Sequence, residues 1–146
     1  MSKDAWPKPL QEIAEMFKTA PRQDRLHYLL EFAESLPELP PELEEARDQM
    51  EQVHECQSPV FLHTTMEDGK VYYHIDVPRE APTVRGFASI LYEGLNGATL
   101  EEIEATPKDL YDELGLDDVL SPQRLRGLTA LLIYMKRSAR RLAKAA

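Results

Sequence analysis

Hydrophobic positions change their period twice along this chain, dividing it into helix, sheet and helix again. Near the N-terminus Leu10, Ile13, Ala14 and Phe17 recur at three- and four-residue spacing, and Pro9 suits the first turn of a helix carrying them. Thr19-Ala20-Pro21 breaks that helix. Leu26, Leu29, Leu30, Ala33 and Leu36 then predict a second one, running to about Leu36. Pro37, Pro40 and Pro41 impose an extended crossing after it. The two helices read as an N-terminal helical hairpin packed through its leucines. Glu42 to Glu51 is a short acidic segment, helical or irregular.

From Val60 the period falls to two: Val60 and Leu62 point one way, Phe61 and His63 the other. Glu67-Asp68-Gly69-Lys70 is a hairpin turn centred on Asp-Gly. Beyond it Val71, Tyr73, Ile75 and Val77 alternate with Tyr72, His74 and Asp76, which predicts a half-buried strand. A brief strand at about Gln52 to His54 is expected to pair with the strand after Cys56. That pairing puts Cys56 in the connecting turn.

Ala81-Pro82 opens the next helix with Glu80 at its positive end, and Asn96-Gly97 closes it. Val84, Phe87, Ala88, Leu91 and Leu95 are its expected inner face. Thr99 and Glu102 form a capping-box pattern on a short helix, Leu100 to Ala105. One or two further turns between Pro107 and Leu120 end at Gly115. Ser121-Pro122 starts a long last helix lined by Leu125, Leu128, Leu132 and Met135. Gly127 interrupts it, a cost that close packing would offset. The expected fold is α+β, one domain over residues 1–146, with helices packed on one side of a small, about three-stranded antiparallel sheet.

A net charge of −9 argues against nonspecific binding to nucleic acid. No run approaches the roughly 20 apolar residues of a membrane span, and the N-terminus lacks the apolar core of a signal peptide. A single cysteine makes no internal disulfide, so a reducing cytoplasm is the expected compartment. The charge is unevenly spread. From Ser121 to Ala146 there is no acidic residue, while Arg124, Arg126, Lys136, Arg137, Arg140, Arg141 and Lys144 are basic. Such a run reads as a solvated helix face, or as a docking surface for an acidic partner.

Most catalytic patterns are missing. His27, His54, His63, His74 and Cys56 show no paired CxxC or HxxxH spacing, so no metal site is expected. None of the six glycines builds a phosphate loop, and no GxSxG elbow occurs. What remains is the sulfur of Cys56. Glu55, Gln57 and Ser58 around it favour a loop tip, whereas free cysteine is also often a small buried hydrophobe. His54, two residues before, would share a face with Cys56 on an extended chain, or is a surface histidine without a role. A papain-like Cys–His hydrolase is the rival enzyme, but nothing here builds a substrate cleft.

The stretch Val53-His54-Glu55-Cys56-Gln57-Ser58-Pro59-Val60-Phe61-Leu62 resembles the cysteine-loop signature of the SufE-like sulfur-acceptor proteins. Val84-Arg85-Gly86, Leu95-Asn96-Gly97-Ala98-Thr99 through Ile103, Leu114-Gly115-Leu116 and Leu120-Ser121-Pro122-Gln123-Arg124-Leu125-Arg126-Gly127-Leu128 follow in that family's order. The likeness runs from about Pro9 to Ala143. Glu55 stands where the family often has glycine, and Arg126 where it often has a small polar residue. The resemblance implies that Cys56 takes sulfane sulfur from the persulfide of a cysteine desulfurase, stimulating that enzyme. It also implies delivery of the sulfur to an iron–sulfur cluster scaffold. Pyridoxal phosphate would belong to the desulfurase, and this chain would need no cofactor of its own. Arg124 matches the arginine of the family's motif, and Glu80 aligns with an acidic position; Gln57 and Ser58 belong to the loop. An alternative of another class is a noncatalytic binding module that docks through its acidic helices, with Cys56 buried and inert.

Overall fold

The Asp68-Gly69 turn sets the register of the sheet. In the computed structural model, which describes residues 3–145, both turn residues have positive φ, 53° and 76°. That geometry matches the twist of a tight hairpin. It joins β2 (Phe61–Glu67) to β3 (Lys70–Asp76), with Leu62 opposite Ile75 and Thr64 opposite Tyr73. β1 (Glu51–Gln52) pairs antiparallel with β2, one residue ahead of the expected position. A fourth strand, β4 (Ala98–Thr99), pairs with β3, so the sheet order is β1-β2-β3-β4 rather than three strands. Two residues are too few for an alternating pattern to betray a strand.

Val60, Leu62, Val71, Tyr73, Ile75 and Val77 are all buried on one face of the sheet. The helices lie against that face, as the α+β expectation requires. α4 (Pro82–Leu95) packs on β3 and α7 (Pro122–Ala145) on β2, while α1 (Lys8–Thr19) and α2 (Arg22–Ser35) cover the far side of α4. Between α2 and β1 come a short helix, α3 (Pro41–Glu45), and one 3-10 turn. α5 (Leu100–Ala105) starts on the expected capping box: Thr99 Oγ1 accepts from Glu102 N at 3.2 Å, and Thr99 N donates to Glu102 Oε1 at 3.0 Å. α6 (Leu110–Glu113) ends at Gly115, whose φ is 68°. Burial is continuous from Trp6 to Ala139, forming one core. Met1, Ser2 and Ala146, part of the expected domain, lie outside the described residues.

Three details differ from the sequence expectation. The first concerns α2, whose leucines do not all turn inward. Leu29, Ala33 and Leu36 are buried, but Leu26 and Leu30 are exposed. Phe32 and Tyr28 fill the seam to α1 instead, both packing on Phe17. The second is α4, which is enclosed nearly all round rather than on one face. Gly86 and Gly94 make this possible by letting α2 and α1 approach closely. A Cβ on Gly86 would lie 2.2 Å from the Leu29 carbonyl oxygen. Because that oxygen is backbone, Gly86→Ala forces the helices apart. We expect a loss of about 2 kcal/mol, read as a lower midpoint in urea unfolding. An unchanged midpoint would show that α2 backs away without cost.

The third is the basic run of α7, which is not one solvated face. Lys136 is buried and donates to the Thr106 and Glu104 carbonyls at the end of α5. Arg140 pairs with Glu104 at 2.6 Å, Arg141 with Glu51 at 3.7 Å, and Arg137 lies over the Tyr134 ring. Lys136, Arg140 and Arg141 tie α7 to its neighbours, whereas Arg137 packs on its own helix; charge alone does not reveal this.

Candidate functional site

Backbone pairing delivers Cys56 to the tip of a short loop. Val53 N donates to Val60 O at 2.9 Å, which closes the loop at its base beside β1 and β2. Inside it, Cys56 N donates to Val53 O at 3.3 Å, a tight turn. The sulfur is half-buried because the loop folds back onto α7 at Gly127. Cys56 Sγ lies 3.6 Å from the Gly127 carbonyl oxygen, and a Cβ on Gly127 would sit 3.4 Å from the sulfur. The helix glycine is therefore the seat of the thiol. Both readings of Cys56 hold a part of this geometry: the backbone is a loop tip and the sulfur is sheltered.

Burial, and then the charge of Glu55, push the Cys56 thiol up from 9.0 to about 11. At rest the sulfur is thus a protonated, weak nucleophile. It borders a cleft of about 280 Å³ lined by Glu55, Gln57, Ser58, Glu80, Gln123 and Arg124, together with the first residues of α4. The first turns of α4 and α7 both open into this cleft. Helix N-termini carry partial positive charge, so an anion arising here meets two such ends and a guanidinium.

Of the residues singled out by sequence, Cys56, Gln57, Ser58, Glu80 and Arg124 come together around the cleft. Arg124 and Glu80 are exposed, and Arg124 N donates to Ser121 Oγ at 3.3 Å, capping α7. His54 is exposed in the turn and does not line the cleft. His63 and His74 stack across β2 and β3 on the open face of the sheet. Among the described residues, no group of three or more His, Cys, Asp or Glu is placed to hold a metal ion.

Two contributors were not singled out as site residues. In the sequence Gly127 stands out as a helix interruption that close packing would offset, and as part of the last motif, without a tie to the thiol. Arg85, itself buried, donates to the Ala33, Leu36 and Val77 carbonyls, so it pins the start of α4 to the ends of α2 and β3. That bracing fixes the cleft wall at Ala81 to Val84. A guanidinium with several donors beside proline-rich crossings was the available signal for it.

Comparison with known proteins gives one consistent picture. Residues 11–139 match the family model SufE, described as an Fe-S metabolism associated domain. An uncharacterized SufE-like protein of Mycobacterium tuberculosis is 50% identical over 135 residues, covering 92% of this chain and 93% of the relative. The sulfur acceptor protein CsdE of Escherichia coli is 36% identical over 75% of this chain and 72% of its own length. A solution structure of a hypothetical protein from Thermus thermophilus superposes with a TM-score of 0.82 at 40% identity, covering 95% and 98% of the two chains. Among the described residues, no helix is long and apolar enough to cross a membrane.

Proposed function

This chain belongs to the SufE family of Fe–S metabolism associated domains, and on that premise we propose that Cys56 accepts and carries sulfur for iron–sulfur cluster assembly. The donor is the cysteine persulfide of a desulfurase working in the same reducing cytoplasm. The observation that carries this reading is a half-buried thiol on a loop tip that borders a polar cleft with Arg124 and Glu80. A similar protein bears the name sulfur acceptor protein, which fits the same role.

The transfer is thiol–disulfide exchange in another form. The Cys56 thiolate attacks the outer sulfur of the donor persulfide. A new S–S bond forms on Cys56 as the S–S bond in the donor breaks, and the donor cysteine leaves as thiolate. No electrons enter or leave the pair, and the pyridoxal phosphate chemistry stays on the desulfurase. Clearing the donor thiol lets the desulfurase turn over again, which accounts for stimulation. The persulfide on Cys56 is then passed to the scaffold by a second exchange of the same kind. Arg124 and the two helix ends favour the anionic sulfur within the cleft.

The test is intact-mass measurement of this protein after incubation with desulfurase and cysteine. The expected result is a gain of sulfur located on Cys56. No gain, with unchanged desulfurase turnover, would favour the noncatalytic binding module instead. Arg124 gives a finer check. Arg124→Lys should keep part of the stimulation because a cation remains, and Arg124→Ala should lose several-fold more. Wild-type stimulation in both variants would reduce Arg124 to a surface charge at a helix start.

A further inference from the structure

The two helices that open into the thiol cleft do not begin alike. Ser121 Oγ accepts from Arg124 N at 3.3 Å and so caps α7. α4 has an alanine, Ala81, at its cap position, and no side chain caps it. Pro82 brings no N–H, but Thr83 and Val84 do, and the first N–H groups of a helix find no partner within it. Thr83 adds a hydroxyl. This residue is only 8% exposed and lines the cleft, yet among the described residues its hydroxyl has no hydrogen-bond partner. Polar groups so nearly buried are as a rule paired, so this one is left open for a ligand in the cleft. Arg124 lines the same cleft, and so do the carboxylates of Glu55 and Glu80. The cleft volume of about 280 Å³ lies just below the ~300–1,000 Å³ of sites for drug-sized ligands, which suits a smaller molecule.

We propose that this cleft binds the amino-acid end of a small free thiol, cysteine or its hydropersulfide, and sets the ligand's sulfur against Cys56. The ligand's carboxylate takes the uncapped α4 amides, the Thr83 hydroxyl and Arg124, since a helix N-terminus and a guanidinium both favour an oxyanion. Its ammonium takes Glu55 and Glu80, two carboxylates that would repel a simple anion such as sulfate. The charge pattern thus selects a zwitterion. With cysteine hydropersulfide in place, the Cys56 thiolate attacks the outer sulfur. An S–S bond forms on Cys56, the S–S bond of the ligand breaks, and cysteine leaves as thiolate; no electrons enter or leave. The cleft thereby adds a small-molecule source of sulfur to the protein donor. That step rests on the reading of Cys56 as a sulfur carrier, whereas binding of the amino-acid end does not.

The probe is S-methyl-L-cysteine, which keeps both charged groups and the sulfur but has no thiol to exchange. Titrated into the isotopically labelled full chain, it should give saturable shifts of the Thr83, Val84 and Cys56 amide signals. Methylthiopropanoate lacks the ammonium and methylthioethylamine lacks the carboxylate. Each should bind at least about fivefold more weakly, the factor for one lost interaction of about 1 kcal/mol. Thr83→Val keeps the side-chain shape and should weaken the probe by about the same factor, with an unchanged urea midpoint. Absence of saturable shifts would overturn the subsite, and so would equal affinity for the probe, methylthiopropanoate and inorganic sulfate. Those comparisons use the unaltered protein, so they decide the matter even where Thr83→Val fails to fold. A folded Thr83→Val that binds the probe as tightly as the parent would also overturn it. The transfer step is read by intact mass. S-methyl-L-cysteine should slow the loading of Cys56 by cysteine hydropersulfide, and neither truncated analogue should do so at the same concentration. Loading that the probe leaves unslowed would overturn the step. A chain that takes sulfur from a desulfurase but ignores the probe loses this subsite alone.

Discussion

Cys56→Ser is expected to gain no sulfur at all and to lose its stimulation of the desulfurase, while remaining folded. Serine keeps a hydrogen-bond donor near the Gly127 carbonyl, which lies 3.6 Å from the natural sulfur. The loop is closed by backbone bonds that the substitution does not touch, Val53 to Val60 and Cys56 to Val53. A stability change within about 0.5 kcal/mol is therefore expected, as for ordinary substitutions outside the core. The chemistry has no such tolerance. A hydroxyl is far less nucleophilic than a thiolate at neutral pH, and an oxygen at this position cannot form the S–S bond that stores the sulfur. Intact mass and desulfurase turnover are the two readouts. If the serine variant still stimulated turnover fully, covalent transfer would be wrong and allosteric activation of the partner would replace it.

Local chemistry wrote much of this fold into the sequence. Asp68-Gly69 needs left-handed backbone, Thr99 and Glu102 satisfy each other's backbone N–H, and Ser121-Pro122 starts a helix. Each signal acts within four residues, so each could be read directly. Burial decided by distant partners leaves no such local signal. Leu26 and Leu30 sit on the spacing of a core stripe, yet Phe32 and Tyr28 occupy the seam with Phe17. Lys136 looks like one more surface cation, and only the carbonyls of α5 explain its burial. The candidate site shows the same division. Cys56 and its polar neighbours were legible because the loop is local. Gly127 was not, since it meets the loop only after α7 has packed across the sheet, 71 residues after the cysteine.

In the free protein, Cys56 is expected to react with iodoacetamide at neutral pH at least about tenfold more slowly than in the urea-unfolded chain. The thiol is pushed up to about 11 from 9.0, first by burial and then by Glu55. Each unit removes about nine-tenths of the reactive thiolate below the pKa, so the shift sets a ceiling near a hundredfold. Partial exposure of the residue keeps the expected factor below that ceiling. A bulky maleimide should be slowed further, because Gly127 crowds the sulfur from one side. The sign of the pH dependence follows from the direction of the shift. The folded state holds the thiol proton more tightly, so the burial of a neutral thiol stabilises fully below pH about 9. That contribution is lost as the pH rises to about 11, and alkylation of the folded chain accelerates over the same window. Opening of one loop costs far less than unfolding the domain, so on the proposed reading a desulfurase would draw the thiol out without loosening the core. Added desulfurase should then raise persulfide formation on Cys56 even where iodoacetamide reacts slowly with the free protein. Equal native and unfolded rates for both reagents would mean an already exposed thiol; the sheltered resting state would then be wrong, while sulfur transfer by Cys56 could still hold.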